Sequence, residues 1–304
     1  MTMGYRSTFR RVVAATGFGL AAAAAAAGDG KLLLTGGVST IDGAAGGGLT
    51  PWAVTGSYAA AGEWGATAYG TAVKVRDYGL KGYGAALAWT DRVEFSIAHQ
   101  DFDTKANLAP LGLAGLKLKM DIAGAKLRVA GDAIVDSDGW MPQIALGVLH
   151  KKVDAGALGP TLTGALGVKD GGTEFYVSAT KLFLAPGMLV NATLRATKAN
   201  QGGLLGFGGT QGKGDRLMPE FSVAWLANRS LAIGAEFRAK PNNLDPSALG
   251  DGALKEDDWA DLFVVWAPNK NISLTVAYVD LGKIVPALQP RRQTGSYVSA
   301  QFAF

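Results

Sequence analysis

The sequence predicts an all-β fold: a transmembrane, antiparallel, up-and-down β-barrel of about 14 strands, with about 12 as the alternative count. Three observations predict it. Apolar and polar residues alternate in repeated segments, the connections are alternately short and long, and the chain ends on an apolar strand. Outer-membrane barrels combine these features, because their strands alternate between lipid and lumen and their periplasmic turns are shorter than their outer loops. We therefore expect the protein in the outer membrane of a Gram-negative bacterium, embedded in its lipid bilayer.

The first 27 residues have the pattern of a secretory signal peptide. Arg6, Arg10 and Arg11 precede an uncharged run that ends in seven alanines at residues 21–27. The apolar run is shorter than the roughly 20 residues that a spanning helix needs, and small residues before Gly28 suit cleavage. The sequence thus predicts a signal peptide at 1–27 and one barrel domain at 28–304, with a retained anchor helix as the alternative.

The central strands alternate in the same way, for example at 188–197, 231–238 and 272–278. Six short turns are expected at 60–63, 90–91, 136–139, 185–187, 227–230 and 268–271. Longer loops are expected between them, at 76–81, 104–116, 154–172, 200–215, 241–256 and 281–292. One irregularity is expected near Asp121–Gly124, where the polar residues change parity; a β-bulge would reconcile the two halves of that strand.

The strand count depends on the N-terminal region. The six turns and the closing strand need one more strand for an even number, and Lys31–Val38 can supply it by pairing with Tyr297–Phe304. Because LLLTGG alternates poorly, this piece can instead lie inside the barrel as a plug, which leaves 12 strands.

Tryptophans mark one rim of the predicted barrel. The residues expected in this aromatic girdle lie beside the short turns and are Trp64, Trp89, Trp140, Trp225 and Trp266, with Phe183 at the remaining turn. Trp favours the membrane interface because its ring is apolar and its N–H needs a polar partner. An opposite girdle is expected from Trp52, Tyr83, Trp259 and Tyr297.

The closing strand is amphipathic. Its apolar face carries Val298, Ala300, Phe302 and Phe304, while Tyr297, Ser299 and Gln301 fall on the other face. A terminal aromatic residue with apolar residues at every second position resembles the signal read by the barrel-assembly machinery in outer-membrane proteins. This machinery is therefore an expected partner during biogenesis.

Composition excludes several classes of function. The chain has no cysteine, which excludes disulfides and thiol-ligated metals. Its net charge of +4 falls close to neutral once the leader arginines are removed, and the absence of a basic stripe gives no reason to expect nucleic acid. No cofactor is expected.

Catalytic and metal sites have weak support. His99 has Asp101 and Asp103 nearby, but it shares the lipid-facing parity of its strand, and His150 has no serine motif to pair with. The acids in Asp136–Gly139 lack the spacing of a calcium loop, and a polar turn is the simpler interpretation. We therefore predict no catalytic residue and no metal site, with an outer-membrane hydrolase as the least favoured function.

Charged residues on the face opposite to lipid are expected to line the lumen, because a charge at the bilayer midplane is costly. These candidates are Glu94, Lys117, Lys119, Lys126, Arg128, Glu174, Arg195, Arg216, Glu220, Glu236, Arg238 and Asp261. Two interpretations remain open: the charges line a water-filled channel, or they pair with one another and fill a plugged interior. Their mixed sign argues against strong ion selectivity.

Several segments, among them GDGKLLLTGGVSTIDGAAGGGLTPW, EFRAKPNNL and the closing SAQFAF, resemble a family of uncharacterised proteobacterial proteins with a domain of unknown function. The similarity covers almost the whole chain after the leader, and it implies no activity and no site residues. The barrel itself favours a porin-like channel or transporter for small solutes. The alternative is a closed barrel with a structural or partner-binding role in the cell envelope.

Overall fold

The computed structural model describes residues 34–57, 59, 62–131, 139–212 and 214–304. Two short strands, β1 (Val38–Ser39) and β2 (Ala45–Gly46), precede twelve strands that form a closed antiparallel barrel. The barrel strands are β3 (Trp64–Val75), β4 (Gly79–Trp89), β5 (Val93–Asp103), β6 (Lys117–Ala130), β7 (Gln143–Asp154), β8 (Gly171–Phe183), β9 (Met188–Thr197), β10 (Arg216–Asn228), β11 (Leu231–Arg238), β12 (Trp259–Asn269), β13 (Ile272–Asp280) and β14 (Thr294–Ala303). Each pairs with its neighbours in sequence, and β14 pairs with β3. Closure leaves no unpaired strand edge, as lipid requires. The predicted fold class is confirmed, with the alternative count of 12.

The segment before the barrel, residues 34–57, lies inside the lumen, and we call it the plug. Every residue from 35 to 57 is buried, and β1 and β2 pair only with each other. The predicted strand at Lys31–Val38 is wrong in its described part, and with it the count of 14; residues 31–33 lie outside the described residues. The glycine-rich stretch at 43–48 carries few side chains for a lipid-facing strand, so this backbone pairs with polar groups of the wall instead.

The connection at 60–63 explains the missing pair of strands. It leads from the plug into β3 and does not join two strands of the barrel, although residues 60 and 61 lie outside the described part of the chain. The predicted signal peptide at 1–27 also lies outside it. In the ranges that are described, no helix is long and apolar enough to cross a membrane.

Connections at the two ends of the barrel differ in length as predicted. One end has tight turns at 90–92, 184–187, 229–230 and 270–271, and the other has loops at 104–116, 155–170, 198–215, 239–258 and 281–293. The loop at 155–170 contains a short helix, α1 (Gly159–Ala165). Two connections differ from the expected ones. The predicted loop at 76–81 is only the turn 76–78, and the predicted turn at 136–139 falls mostly on residues outside the described ranges.

Alternation along the strands separates an inner from an outer face. In β14, Val298, Phe302 and Phe304 are exposed, whereas Tyr297, Ser299 and Gln301 are buried. The predicted β-bulge in β6 is wrong, because β6 pairs with β5 without a register shift from Lys117 to Leu127. The alternation of inward and outward residues continues through this strand, and only the chemistry of its inner face changes. Leu118, Met120 and Ile122 point inward near the long loops, where the interior is apolar.

The five tryptophans beside the short turns, together with Phe183, have exposed side chains on the outside of the barrel. Trp64 and Trp89 are register partners with ring centroids 6.1 Å apart. At the other rim the expectation fails for three of the four residues: only Tyr83 is exposed, whereas Trp52, Trp259 and Tyr297 are buried. Trp52 belongs to the plug, and the other two have inward parity on their strands.

Candidate functional site

An ion cluster joins the plug to five consecutive strands of the wall. Lys151, Glu174, Arg195, Glu220 and Arg238 project inward from β7, β8, β9, β10 and β11 in that order, and the plug contributes Asp42. The cluster is neutral overall, with three acids and three bases, and all six side chains are buried. Buried charges are tolerated only when they are paired, since each loses its hydration.

Asp42 is the only member of this cluster that the plug supplies. One oxygen of its carboxylate lies 2.9 Å from Lys151 Nζ, and the other lies 3.0 Å from an Arg238 guanidinium nitrogen. The wall residues pair among themselves as well: Lys151 with Glu174 at 2.8 Å, and Arg238 with Glu220 at 3.4 Å. Removal of the plug would therefore leave the wall part of the cluster with one uncompensated positive charge.

Two further wall groups bind the plug backbone. Lys126 Nζ donates hydrogen bonds to the carbonyl oxygens of Ala45, Trp52 and Val54, and it pairs with Glu94 at 3.1 Å. Glu94 in turn accepts the Gly56 amide at 2.7 Å. These bonds satisfy buried polar groups of the plug backbone.

Glu236 of β11 holds the other side of the plug. Its carboxylate accepts the amides of Leu49 and Thr50 at 2.8 and 3.2 Å and the hydroxyl of Thr50 at 2.6 Å. The hydroxyl of Thr50 also contacts that of Ser222 on β10. A Cβ atom at Gly47 would lie only 2.2 Å from Glu236 Oε1, so this approach requires glycine.

The predicted lumen residues divide into two groups. Nine of them are buried inside the barrel: Glu94, Lys126, Arg128, Glu174, Arg195, Glu220, Glu236, Arg238 and Asp261. The other three, Lys117, Lys119 and Arg216, are exposed at the strand ends next to the long loops. Lys117 and Lys119 have outward parity and lie at the rim of the barrel, beside the long loops. A charge on an outward strand face is tolerated near the membrane interface.

Above the plug, on the side of the long loops, the interior contains an apolar cavity of about 340 Å³. Ile41 and Leu49 of the plug form its floor, inward side chains such as Phe102 and Leu118 form its walls, and the loops cover it. The loops contribute mainly aliphatic side chains, among them the buried residues Leu108, Leu158, Leu162, Leu204, Leu244 and Ile284. Loops facing water rarely carry so many buried apolar residues.

Three residues of the cavity lining carry a buried polar group that has no hydrogen-bond partner among the described residues: Tyr78, Tyr297 and Trp259. They are 3 %, 2 % and 6 % exposed. Burial raises the pKa of Tyr78, which lies in the turn between β3 and β4, to about 12. The hydroxyl therefore keeps its proton at neutral pH and remains a donor.

A buried contact between three loops closes the cavity, and we call it the latch. Gln201 donates its backbone N–H to Glu256 at 2.8 Å and its side-chain amide to the Ile284 carbonyl at 2.7 Å. Lys240 Nζ donates to Gln201 Oε1 at 2.7 Å and lies 3.6 Å from Glu256. Burial raises the pKa of Glu256 to about 7 and lowers the pKa of Lys240 to about 8, although the two groups attract each other.

Both histidines lie on the outside of the barrel. His99 Nδ1 is 2.7 Å from Asp121 Oδ1, and its ring packs against Tyr83 with centroids 5.2 Å apart. His150 Nδ1 is 3.0 Å from the Thr173 hydroxyl. The Asp101 and Asp103 neighbours expected from the sequence are not the groups that His99 contacts. Within the described ranges, no group of three or more potential metal ligands is present.

Sequence reasoning missed two members of the ion cluster. Lys151 has the opposite parity to Ile144, Leu146 and Val148, which form the outward apolar face of β7, so this pattern would have assigned it to the lumen. Asp42 gave no such signal, because it lies outside any alternating strand and is placed by the fold of the plug.

Residues 35–301 match the model of a family described as "Protein of unknown function (DUF3034)". The chain belongs to this family. The matched residues include the plug as well as the barrel strands. No curated protein matches the sequence.

Solved structures with a similar fold include three barrels. The NanC porin is 9 % identical with a TM-score of 0.49, covering 78 % of this chain and 98 % of that chain. An outer membrane phospholipase from Salmonella typhi is 9 % identical with a TM-score of 0.40, covering 79 % and 90 %. A TodX mutant described as a monoaromatic hydrocarbon channel is 12 % identical with a TM-score of 0.38, covering 79 % and 88 %. The likeness concerns the fold alone and transfers no function to this family member.

Proposed function

We propose that the protein is an outer-membrane channel or transporter for small solutes, and that the plug closes its lumen in the conformation described above. The attachment of the plug supports this best. It is bound by side chains of the wall and shares no strand ladder with the barrel. A segment held in this way can leave or rearrange while the barrel stays closed, and barrels of this architecture use polar interiors for hydrated passage.

The wall behind the plug is suited to such a path. Glu94, Lys126, Glu236 and the ion cluster would line a polar lumen if the plug moved. Acids and bases lie on neighbouring strands of this wall and already pair with one another, for example Lys126 with Glu94 and Lys151 with Glu174, so most of them keep a partner after the plug leaves. The proposal differs from the open porin that the sequence suggests in one respect: passage requires displacement of residues 34–57.

A disulfide between plug and wall tests the proposal. Thr50 and Ser222 are in hydroxyl contact, a separation at which a Thr50→Cys/Ser222→Cys pair can bridge. The native chain has no cysteine, so wild type is an unreactive control. Thr71→Cys/Ser299→Cys is the matched control, because this pair joins β3 to β14 with hydroxyls 2.8 Å apart and leaves the plug free.

Uptake of two probes, arabinose and 1-N-phenylnaphthylamine, is measured in cells that produce each variant, after oxidation and again after reduction. We expect the plug-to-wall disulfide to lower uptake of at least one probe to the level of cells without the protein, and reduction to restore it. The wall-to-wall disulfide should leave uptake unchanged. If a complete plug-to-wall disulfide changes uptake of neither probe, the transport proposal is wrong and a structural or partner-binding role is favoured.

A further inference from the structure

We propose that the cavity between the plug and the outer loops is a binding site for one neutral, apolar small molecule, such as a medium-chain alkane or ketone, held by apolar contacts. This deepens the proposed function, on which its role in transport rests, by naming the class of solute. Binding itself does not depend on transport. The inference is carried by the size of the cavity and the chemistry of its lining.

Size favours a ligand of on the order of ten non-hydrogen atoms, since each water molecule in the liquid occupies about 30 Å³ and the cavity holds about 340 Å³. Small-molecule sites in proteins start at about 300 Å³. A dry apolar cavity of less than half this volume is known to bind an aromatic hydrocarbon. Close-packed protein interiors contain few voids of this size, so the cavity is unlike an ordinary packing defect.

The lining excludes a charged ligand. No charged side chain lines the cavity, and the floor and cover consist mainly of aliphatic side chains, for example Leu49, Leu162 and Leu254. An ion placed there would lose its hydration without gaining a partner. The charged groups of the plug and its wall lie beneath the floor, so the polar and apolar parts of the interior are separated along the barrel.

The polar groups around the cavity offer no hydrogen bond to a ligand. The hydroxyls of Tyr78 and Tyr297 and the indole N–H of Trp259 have no partner among the residues described, but these atoms are enclosed by neighbouring protein atoms and have no surface towards the cavity. The side chains of Gln201 and Thr104 are already bonded to loop groups. The lining therefore suits a ligand that is held by apolar contacts.

The position of the site connects it to the plug. Ile41 and Leu49 lie next in sequence to Asp42 and Thr50, the residues that attach the plug to Lys151 and Glu236. A ligand on the floor therefore contacts the same short segments that hold the plug in place. Binding of a ligand in the cavity and displacement of the plug therefore affect the same contacts.

Binding is tested by equilibrium dialysis of 2-nonanone and n-decane against the protein in lipid nanodiscs, with empty nanodiscs as the control for partition into lipid. We expect saturable binding of one 2-nonanone per barrel. Leu162→Trp fills the cavity from α1 and should abolish it, whereas Leu184→Trp, at an exposed turn of the opposite rim, should not. Gel mobility before and after heating verifies that each variant is folded.

Tyr78→Phe removes a hydroxyl that has no surface towards the cavity. We expect this variant to bind both 2-nonanone and n-decane as wild type does. Weaker binding of 2-nonanone alone would overturn a ligand held by apolar contacts only. Binding no greater than to empty nanodiscs, or binding that Leu162→Trp leaves intact, would overturn the site. If the ligand binds but the plug-to-wall disulfide does not change uptake, the transport proposal is wrong and the binding site stands. If the disulfide changes uptake but no ligand binds, only the binding site is wrong.

Discussion

Asp42 of the plug and Lys151 of β7 form a buried ion pair of 2.9 Å between residues 109 positions apart in sequence. Arg238 approaches the other carboxylate oxygen at 3.0 Å, so one plug residue neutralises two basic groups on well-separated strands. This relationship makes the plug an electrostatic complement of the wall. It also suggests how the plug can be loosened without harming the barrel.

Asp42→Asn should release the plug. The substitution removes the pairs of Asp42 with Lys151 and Arg238 and leaves the buried cluster with one excess positive charge. Breaking a buried pair typically costs about 3–5 kcal/mol. We expect faster hydrogen–deuterium exchange at plug amides, in particular Leu49 and Thr50, with unchanged exchange in the barrel strands. Asp170→Asn is the matched control, because Asp170 pairs with Lys152 at 3.3 Å on the exposed surface. Equal protection of the plug in both variants would contradict the role given to Asp42.

Gly147→Ala should destabilise the barrel because Gly147 lies under a buried aromatic ring. A Cβ atom there would be 2.0 Å from Cζ of Tyr176, whose ring also contacts the Arg195 guanidinium at 5.4 Å. Overpacking of this kind costs about 1–3 kcal/mol, measured as a lower urea midpoint in lipid vesicles. Gly70→Ala adds the same methyl group where nothing lies within 4 Å, and it should have little effect. Equal midpoints for the two variants would show that the Tyr176 contact is not tight.

Phe304→Ala should impair assembly more than stability. Phe304 exchanges backbone hydrogen bonds with Ala66 at the seam of the barrel, and these do not need its side chain. We expect less folded barrel in cell envelopes, measured by the shift in gel mobility on heating. Phe183→Ala is a suitable control, because Phe183 is 50 % exposed and Phe304 is 47 % exposed. If both variants reach the same folded amount, the terminal aromatic residue is not an assembly signal.

The latch should be weakest near neutral pH. The pKa of Glu256 is raised from 4.5 to about 7, so the closed latch gains stability as pH falls from about 7 towards 4.5 and loses it as pH rises through 7. The pKa of Lys240 is lowered from 10.5 to about 8, so closure is favoured again only as pH rises above 8. Asp258 and Arg238 are the other charged groups facing this pair.

Hydrogen exchange of the Gln201 amide, corrected for its intrinsic pH dependence, measures this effect. Protection should be greater at pH 5.5 than at pH 7.5, since these values lie below and above the Glu256 midpoint of about 7. Glu256→Gln should remove the difference, since glutamine cannot titrate. Greater protection at pH 7.5 in wild type would show that the assigned sign is wrong.

Local alternation allowed much of the barrel to be predicted from sequence. The inward and outward faces of β14 and the tryptophans beside the short turns follow from a period of two, which depends only on neighbouring residues. Polarity alone assigns Lys117 and Lys119 to the lumen, whereas the inner face of β6 at that level is the apolar wall of the cavity. Polarity indicates the lumen only where the lumen is itself polar.

The plug and the cavity could not be predicted in this way. Asp42 meets Lys151 and Arg238 only after the barrel has closed, and the leucines of the loops become a cavity lining only when the loops fold inward. These contacts join residues far apart in sequence, and no periodicity records them. The poor alternation of LLLTGG did indicate a plug as an alternative to an additional strand.

Single-channel recording of the purified wild-type protein in planar bilayers tests most directly whether the plug closes the lumen. We predict no steady conductance, with openings only as brief events that the oxidised Thr50→Cys/Ser222→Cys variant lacks. A steady open conductance in wild type, unchanged by that disulfide, would contradict a lumen closed by residues 34–57.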